Sequence, residues 1–209
     1  MSDSQRLSIF PLSGALLFPK MHLPLHIFEP RYRALISDAM ARDRRVGMIQ
    51  PKPAITSGEV DVPRLFDMGC VGKIAHVEAM EDGRYNIVLE GLSRFKLLRE
   101  LDVTTPFRQI EAQLEAERDE EPLAGIQRAD LEGESRRFAE AQGYAVDWEA
   151  VGRLDDEALV NGIAQIAPFD SAAKQALLEA PTLAMRADLI VQLMRFFGRH
   201  DGEERVTLQ

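Results

Sequence analysis

Few residues in this sequence have types and spacings suited to chemistry. Ser171-Ala172-Ala173-Lys174 matches S-x-x-K, in which a lysine one helical turn from a serine can activate it as a nucleophile. The S-D-N and K-T-G partners that complete such a site are missing. Asp170-Ser171 also makes a good helix start, with Lys174 expected in solvent, so the tetrapeptide reads as structural. His22 and His26 are four apart, the spacing of two zinc ligands on a helix. Pro24 between them breaks a helix, and no cysteine or carboxylate cluster stands nearby to finish a tetrahedral set. They read as structural or surface histidines, with no metal or other cofactor expected. Cys70, the one cysteine, reads as a small buried hydrophobe at a strand start, because a redox-sensing thiol needs an electropositive, exposed setting. No G-x-x-x-x-G-K-[ST] phosphate loop, G-x-G-x-x-G or G-x-S-x-G occurs. These residues offer no nucleophile–base pair, and the expectation is a chain that is not an enzyme.

Composition narrows the classes further. The 209 residues are 45% hydrophobic and 28% charged, as in an ordinary globular protein with a sizeable core. No basic start followed by a long apolar run suggests a signal peptide, and no apolar run is long enough for a membrane span. A single cysteine excludes an internal disulfide and fits a reducing cytoplasm. The net charge of −9 is uneven: residues 1–110 carry 15 Lys/Arg and 13 Asp/Glu, residues 111–209 carry 10 and 21. That break supports two structural halves, and the acidic second half would repel a phosphate backbone.

The elements follow from periodicity. Residues 71–79 and 85–90 alternate around Asp82-Gly83, a strong hairpin signal, and Gly91 then punctuates the chain before Arg94-Phe95-Lys96-Leu97-Leu98. Residues 107–114 alternate again. Pro30 suits the first turn of a helix whose apolar face is Tyr32, Leu35, Ile36, Ala39 and Met40. After an acidic linker, Glu115 to Glu121 closed by Pro122, the period becomes helical. Helices are expected from about Leu123 to Gln142 and from Asp155 or Asp156 to before Pro168. Two more should run from Asp170 to Ala180 and from Thr182 to Gly198, with a frayed tail after His200. The fold class is α+β: a twisted, partly closed β-rich part at 1–116, a helical bundle at 117–199 and a tail at 200–209.

The remaining signal is a Pro-punctuated apolar stretch: Ile9-Phe10-Pro11-Leu12, Leu17-Phe18-Pro19, then Met21-His22-Leu23-Pro24-Leu25-His26-Ile27-Phe28-Glu29-Pro30-Arg31-Tyr32. Proline removes a ladder donor, so these segments suit edge strands and loops rather than central strands. The stretch resembles the opening of the Lon amino-terminal domain family, the substrate-binding region of the ATP-dependent Lon proteases. Met68-Gly69-Cys70-Val71-Gly72-Lys73-Ile74-Ala75 resembles that family's Gly-x-x-Gly segment, and Tyr85-Asn86-Ile87-Val88-Leu89-Glu90-Gly91-Leu92-Ser93-Arg94-Phe95 its V-x-V-E-G-x-x-R hairpin. Leu159-Val160-Asn161 and Ala180-Pro181-Thr182-Leu183 resemble its helical half, so the likeness runs from about residue 7 to 197.

The resemblance implies a PUA-like pseudo-barrel followed by a C-terminal helical bundle, and a stand-alone bacterial member lacking the ATPase and protease domains. It implies a non-catalytic, cytoplasmic module that engages unfolded or hydrophobic protein segments, or a protease or other protein partner. Candidate peptide-binding residues are Phe18, Met21, Leu23, Leu25, Phe28 and Met48, at a strand edge or between the halves, with Arg94 as an anchor for peptide carboxylate or backbone. These apolar residues can equally fill the core, and Glu29, Arg31 and Arg94 can equally fix the fold. PUA-like folds are also similar to RNA-binding domains, and Arg31, Arg33, Arg42, Arg44 and Arg45 lie close together. The whole-chain charge argues against that alternative, so no nucleic acid and no membrane are expected as partners. The oligomeric state stays open.

Overall fold

The computed structural model describes residues 4–53, 63–116 and 120–204. The chain divides into two compact units, Met1–Arg118 and Asp119–Gln209.

In the first unit the elements are β1 (Ser4–Pro11), β2 (His22–Ile27), α1 (Pro30–Met40), β3 (Arg45–Ile49), β4 (Met68–Ala79), β5 (Tyr85–Leu101) and β6 (Gln109–Leu114). They form one sheet in the order β2-β5-β4-β3-β1-β6, and β5 also pairs with β6. Five strands therefore close into a barrel, with β1–β3 the one parallel pair, and β2 is appended outside the ring. Closure removes the open edges that a sheet otherwise presents along the ring, and β2, outside it, presents an edge of its own. Leu7, Ile9, Val71, Phe95, Ile110 and Ala112 are buried together inside the barrel.

The closure depends on β5, which runs unbroken through Gly91 rather than stopping there as its sequence suggests. Its first half, Tyr85 to Glu90, pairs with β2, and its second half, Phe95 to Leu101, pairs with β6. The β4–β5 hairpin turns where Asp82-Gly83 predicts. The Gly83 N–H donates to the Met80 carbonyl (2.9 Å), and Gly83 has φ 78°, the left-handed geometry of a three-residue loop. Helix α1 buries Tyr32, Leu35, Ile36 and Ala39, as its period predicts. The Tyr32 hydroxyl donates to the Pro11 carbonyl (3.0 Å) and its ring lies 4.0 Å from that of Phe10.

The second unit holds α2 (Gly125–Gln142), α3 (Trp148–Gly152), α4 (Asp156–Ile166), α5 (Ser171–Glu179) and α6 (Leu183–Glu204). Asp147, Asp155 and Asp170 each accept a hydrogen bond from the backbone N–H three residues on, so side-chain caps start α3, α4 and α5. Thr182 does the same for α6. The five-residue α3 has too little periodicity to read from sequence. Helix α6 continues past Gly198, where the sequence suggests a stop, and takes in the start of the expected tail; residues 205–209 lie outside the described residues. Among the described residues no helix is long and apolar enough to cross a membrane.

The helices are joined by a charge that sequence periodicity does not reveal. Arg186 on α6 is 1% exposed, and its guanidinium donates to the Asn161 side-chain oxygen on α4 (2.7 Å) and to the Leu177 carbonyl at the end of α5 (2.9 Å). It also reaches the Ala180 carbonyl (3.4 Å). A cation is favoured at the carbonyl-rich end of a helix, and here one planar fork ties α4, α5 and α6.

Two substitutions test this account. A Cβ at Gly91 would overlap the Phe18 carbonyl oxygen and lie 2.9 Å from its carbon, whereas a Cβ at Gly133 in α2 meets nothing within 4 Å. Gly91→Ala is expected to cost about 3 kcal/mol, and Gly133→Ala to stabilise by about 0.5–1 kcal/mol, in urea unfolding followed by circular dichroism. Equal effects of the same sign would contradict the close approach. Arg186→Met leaves buried carbonyl groups without their donor and is expected to cost about 3 kcal/mol, read by the fluorescence of Trp148, the sole tryptophan. A neutral outcome would show that Arg186 does not join the helices.

Candidate functional site

Strand β2 is placed by a turn at Phe18-Pro19-Lys20-Met21. The Met21 N–H donates to the Phe18 carbonyl (3.1 Å), and Lys20 has φ 62°. Proline at the second position and positive φ at the third are the pattern of a type II turn, which normally takes glycine where Lys20 stands. A side chain in that region costs roughly 1–2 kcal/mol. The turn is held by β5: the Lys20 N–H donates to the Gly91 carbonyl and the Gly91 N–H to the Met21 carbonyl, both at 2.8 Å.

Those bonds set the phase of β2. Antiparallel pairs alternate between bonded and non-bonded, and Met21 is bonded to Gly91. The register His22↔Glu90 to Ile27↔Tyr85 then turns the backbone groups of Leu23, Leu25 and Ile27 toward β5. Those of His22, Pro24 and His26 turn toward the outer edge, where no strand lies beside them among the described residues. Pro24 thus sits where its missing N–H costs no ladder bond, as proline in edge strands does.

The side chains alternate in the same way. Met21, Leu23 and Leu25 are half-buried on the face of β2 that carries the buried Ile27, beside Ile87 and Leu89 of β5. The opposite face is polar and linked. The Asn86 amide nitrogen donates to Glu78 (2.9 Å), which leaves its oxygen 2.8 Å from His26 Nδ1. His26 therefore carries its proton on Nδ1, and Nε2 accepts from Arg84 (3.3 Å), itself bound to Asp82. Phe28 follows on this face, 61% exposed, its ring stacked 6.2 Å from that of His26.

Of the expected binding residues, the structure thus gathers Met21, Leu23 and Leu25 along one side of the β2 edge and sets Phe28 on the other. Three expectations are corrected. Phe18 is fully buried, because the turn that follows it carries its side chain inward. Met48 is 2% exposed, because β3 is paired on both sides and faces the interior with that residue. Arg94 is 8% exposed and its guanidinium is bound to Glu115 (2.7 Å), while its carbonyl accepts the Glu115 N–H (2.9 Å). It clasps β5 to the chain leaving β6 and is not placed to anchor a peptide.

The other chemical candidates fall into structural settings. Lys174 is half-buried, not solvent-exposed as expected, and donates to the Gln165 carbonyl (2.7 Å); burial pushes its pKa down from the usual lysine value. Cys70 is buried. Arg31, Arg42 and Arg45 pair with Glu29, Asp38 and Asp43, so the arginine cluster is largely matched by carboxylates. Among the described residues no group of three His, Cys, Asp or Glu side chains is arranged to hold a metal ion.

Comparison with known proteins adds the lineage. The Lon protease of Escherichia coli (strain K12) is 25% identical over 198 residues, 92% of this chain and 25% of that protein. Lon protease 2 of Sorangium cellulosum (strain So ce56) is 32% identical over 99 residues, 46% of this chain and 12% of that protein. The chain therefore spans a quarter or less of the length of these relatives. Among solved structures, the Lon N-terminal domain protein from Xanthomonas campestris has a TM-score of 0.66 at 17% identity, covering 90% of this chain and 98% of that one. The N-terminal domain of Mycobacterium avium complex Lon protease has a TM-score of 0.69 at 18% identity, covering 91% and 98%. At these identities the structures establish a shared α+β fold. The profile of the ATP-dependent protease La (LON) substrate-binding domain matches residues 6–195, and the chain belongs to that family.

Proposed function

We propose that this chain is a non-catalytic recognition module that takes unfolded or hydrophobic protein segments along the outer edge of β2. The observation that carries the reading is the edge itself. It offers half-buried Met21, Leu23 and Leu25 on one side and an exposed Phe28 on the other. An extended segment laid there alternates its side chains to both faces and so meets both apolar groups. Pro24 removes one donor from that edge, which weakens indiscriminate strand pairing and shifts the grip from backbone to side chains. Family membership supports the same reading, since the matched region is named for substrate binding. In a cytoplasmic setting the bound segment would be handed to a proteolytic partner.

Burying an exposed phenylalanine contributes about 1.5–3 kcal/mol. Phe28→Ser should therefore weaken binding of fluorescein-labelled, unfolded casein about tenfold or more by fluorescence anisotropy. Leu25→Ser should act in the same direction with the fold intact by circular dichroism. Phe196→Ser, at a residue 56% exposed on α6, should bind like the parent. Parental affinity in both Phe28→Ser and Leu25→Ser would refute the site.

A further inference from the structure

A concave surface in the first unit lies away from the residues of β2. It is a groove of about 520 Å³ lined by Arg6, Arg99 and the segment from Leu101 to Thr105. This volume falls within the range of small-ligand sites. Strand register places its two arginines beside one carboxylate. Arg6 on β1 and Arg99 on β5 both stand opposite Glu111 on β6, so the three side chains form one cross-strand row.

Each arginine is oriented through Nε. Arg6 Nε donates to the side-chain oxygen of Gln109, a residue only 1% exposed. The Gln109 amide nitrogen donates to the Thr105 hydroxyl (3.1 Å), which donates to the Phe107 carbonyl (2.8 Å). Arg6 is thus aimed by a polar chain that runs through the buried Gln109. Arg99 Nε donates to Glu111 Oε2 (2.7 Å), and the Ser4 hydroxyl donates to Glu111 Oε1 (2.6 Å). Both Glu111 oxygens are engaged, whereas Arg6 has no carboxylate partner among the described residues. With Nε engaged, the paired Nη groups of a guanidinium remain as the two-pronged donor that matches a carboxylate.

We propose that this groove binds a carboxylate through Arg6, assisted by Arg99, with the apolar stem of the ligand against Leu101 and Val103; a protein chain end bearing a small apolar residue fits it. The charge argues for a single carboxylate over a polyanion: two arginines are offset by Glu111 and by Asp102, which also lines the groove. A phosphate chain would meet Asp102 in the groove and the Glu111 charge behind Arg99. The site does not rest on the β2 reading and is tested separately from it.

The test is fluorescence anisotropy at low salt, using an amino-terminally labelled hexapeptide ending in Leu-Val. It is measured as the free acid, as the C-terminal amide, and as an amide with an internal glutamate. The free acid is expected to bind. Amidation or Arg6→Gln should each weaken it about tenfold or more. Arg99→Gln should weaken it in the same direction. Lys96→Gln, at an exposed residue outside the groove, and Phe28→Ser should leave it unchanged, and added salt should weaken it. Equal binding of the glutamate amide would support the carboxylate site and assign its ligand to side chains as well as chain ends. Equal binding of the acid and the plain amide, parental binding by Arg6→Gln with an unchanged melting temperature, or no binding at millimolar peptide would overturn it.

Discussion

The first unit depends on one close approach, the passage of the Phe18–Met21 turn over Gly91. At that point β5 changes partners, from β2 on its first half to β6 on its second. The glycine has no side chain, so the Phe18 carbonyl can lie against it while the flanking backbone groups exchange hydrogen bonds. A residue with a Cβ would push the turn outward, and both β2 and the buried Phe18 would shift with it. The strained φ of Lys20 is sustained by the same contacts, since strained backbone persists where its surroundings over-determine it.

Two consequences follow for function. The barrel is closed and β2 lies outside it, so the strand can present an edge without exposing the core. Placing Phe18 inside and leaving Leu23, Leu25 and Phe28 at the margin divides one apolar stretch into a buried anchor and a partly exposed edge. In the second unit a buried cation has the corresponding role. Arg186 holds three helices through carbonyl and amide oxygens rather than through apolar interdigitation alone.

Much of this is legible in the sequence where the cause is local. Asp82-Gly83 specifies its turn, Pro30 its helix start, and Asp155, Asp170 and Thr182 their caps, because each acts on backbone within a few residues. Pro24 marks an edge strand for the same reason. Partnership across the fold is less legible. Gly91 reads as a break, because a glycine needed for a distant backbone contact has the same letter as one needed for a turn. Phe18 and Met48 look like Leu25 and Phe28 until the strand order decides which faces turn inward. Arg94 reads as a possible ligand anchor, since its partner Glu115 lies 21 residues away. Arg186 carries no visible signal, because its described partners are two backbone carbonyls and one amide. Its meeting points with Asn161 and Ala180 do give a physical reason for the two helical motifs that resemble the family.

The measurement that bears most directly on the edge as the recognition surface is amide hydrogen exchange by mass spectrometry, with and without saturating unfolded casein. Slower exchange is expected in fragments spanning residues 21–28, with the outward-facing His26 N–H among the protected amides and little change in β3 or β4. Unchanged exchange across β2, with protection confined to other strands or to the helical unit, would contradict it.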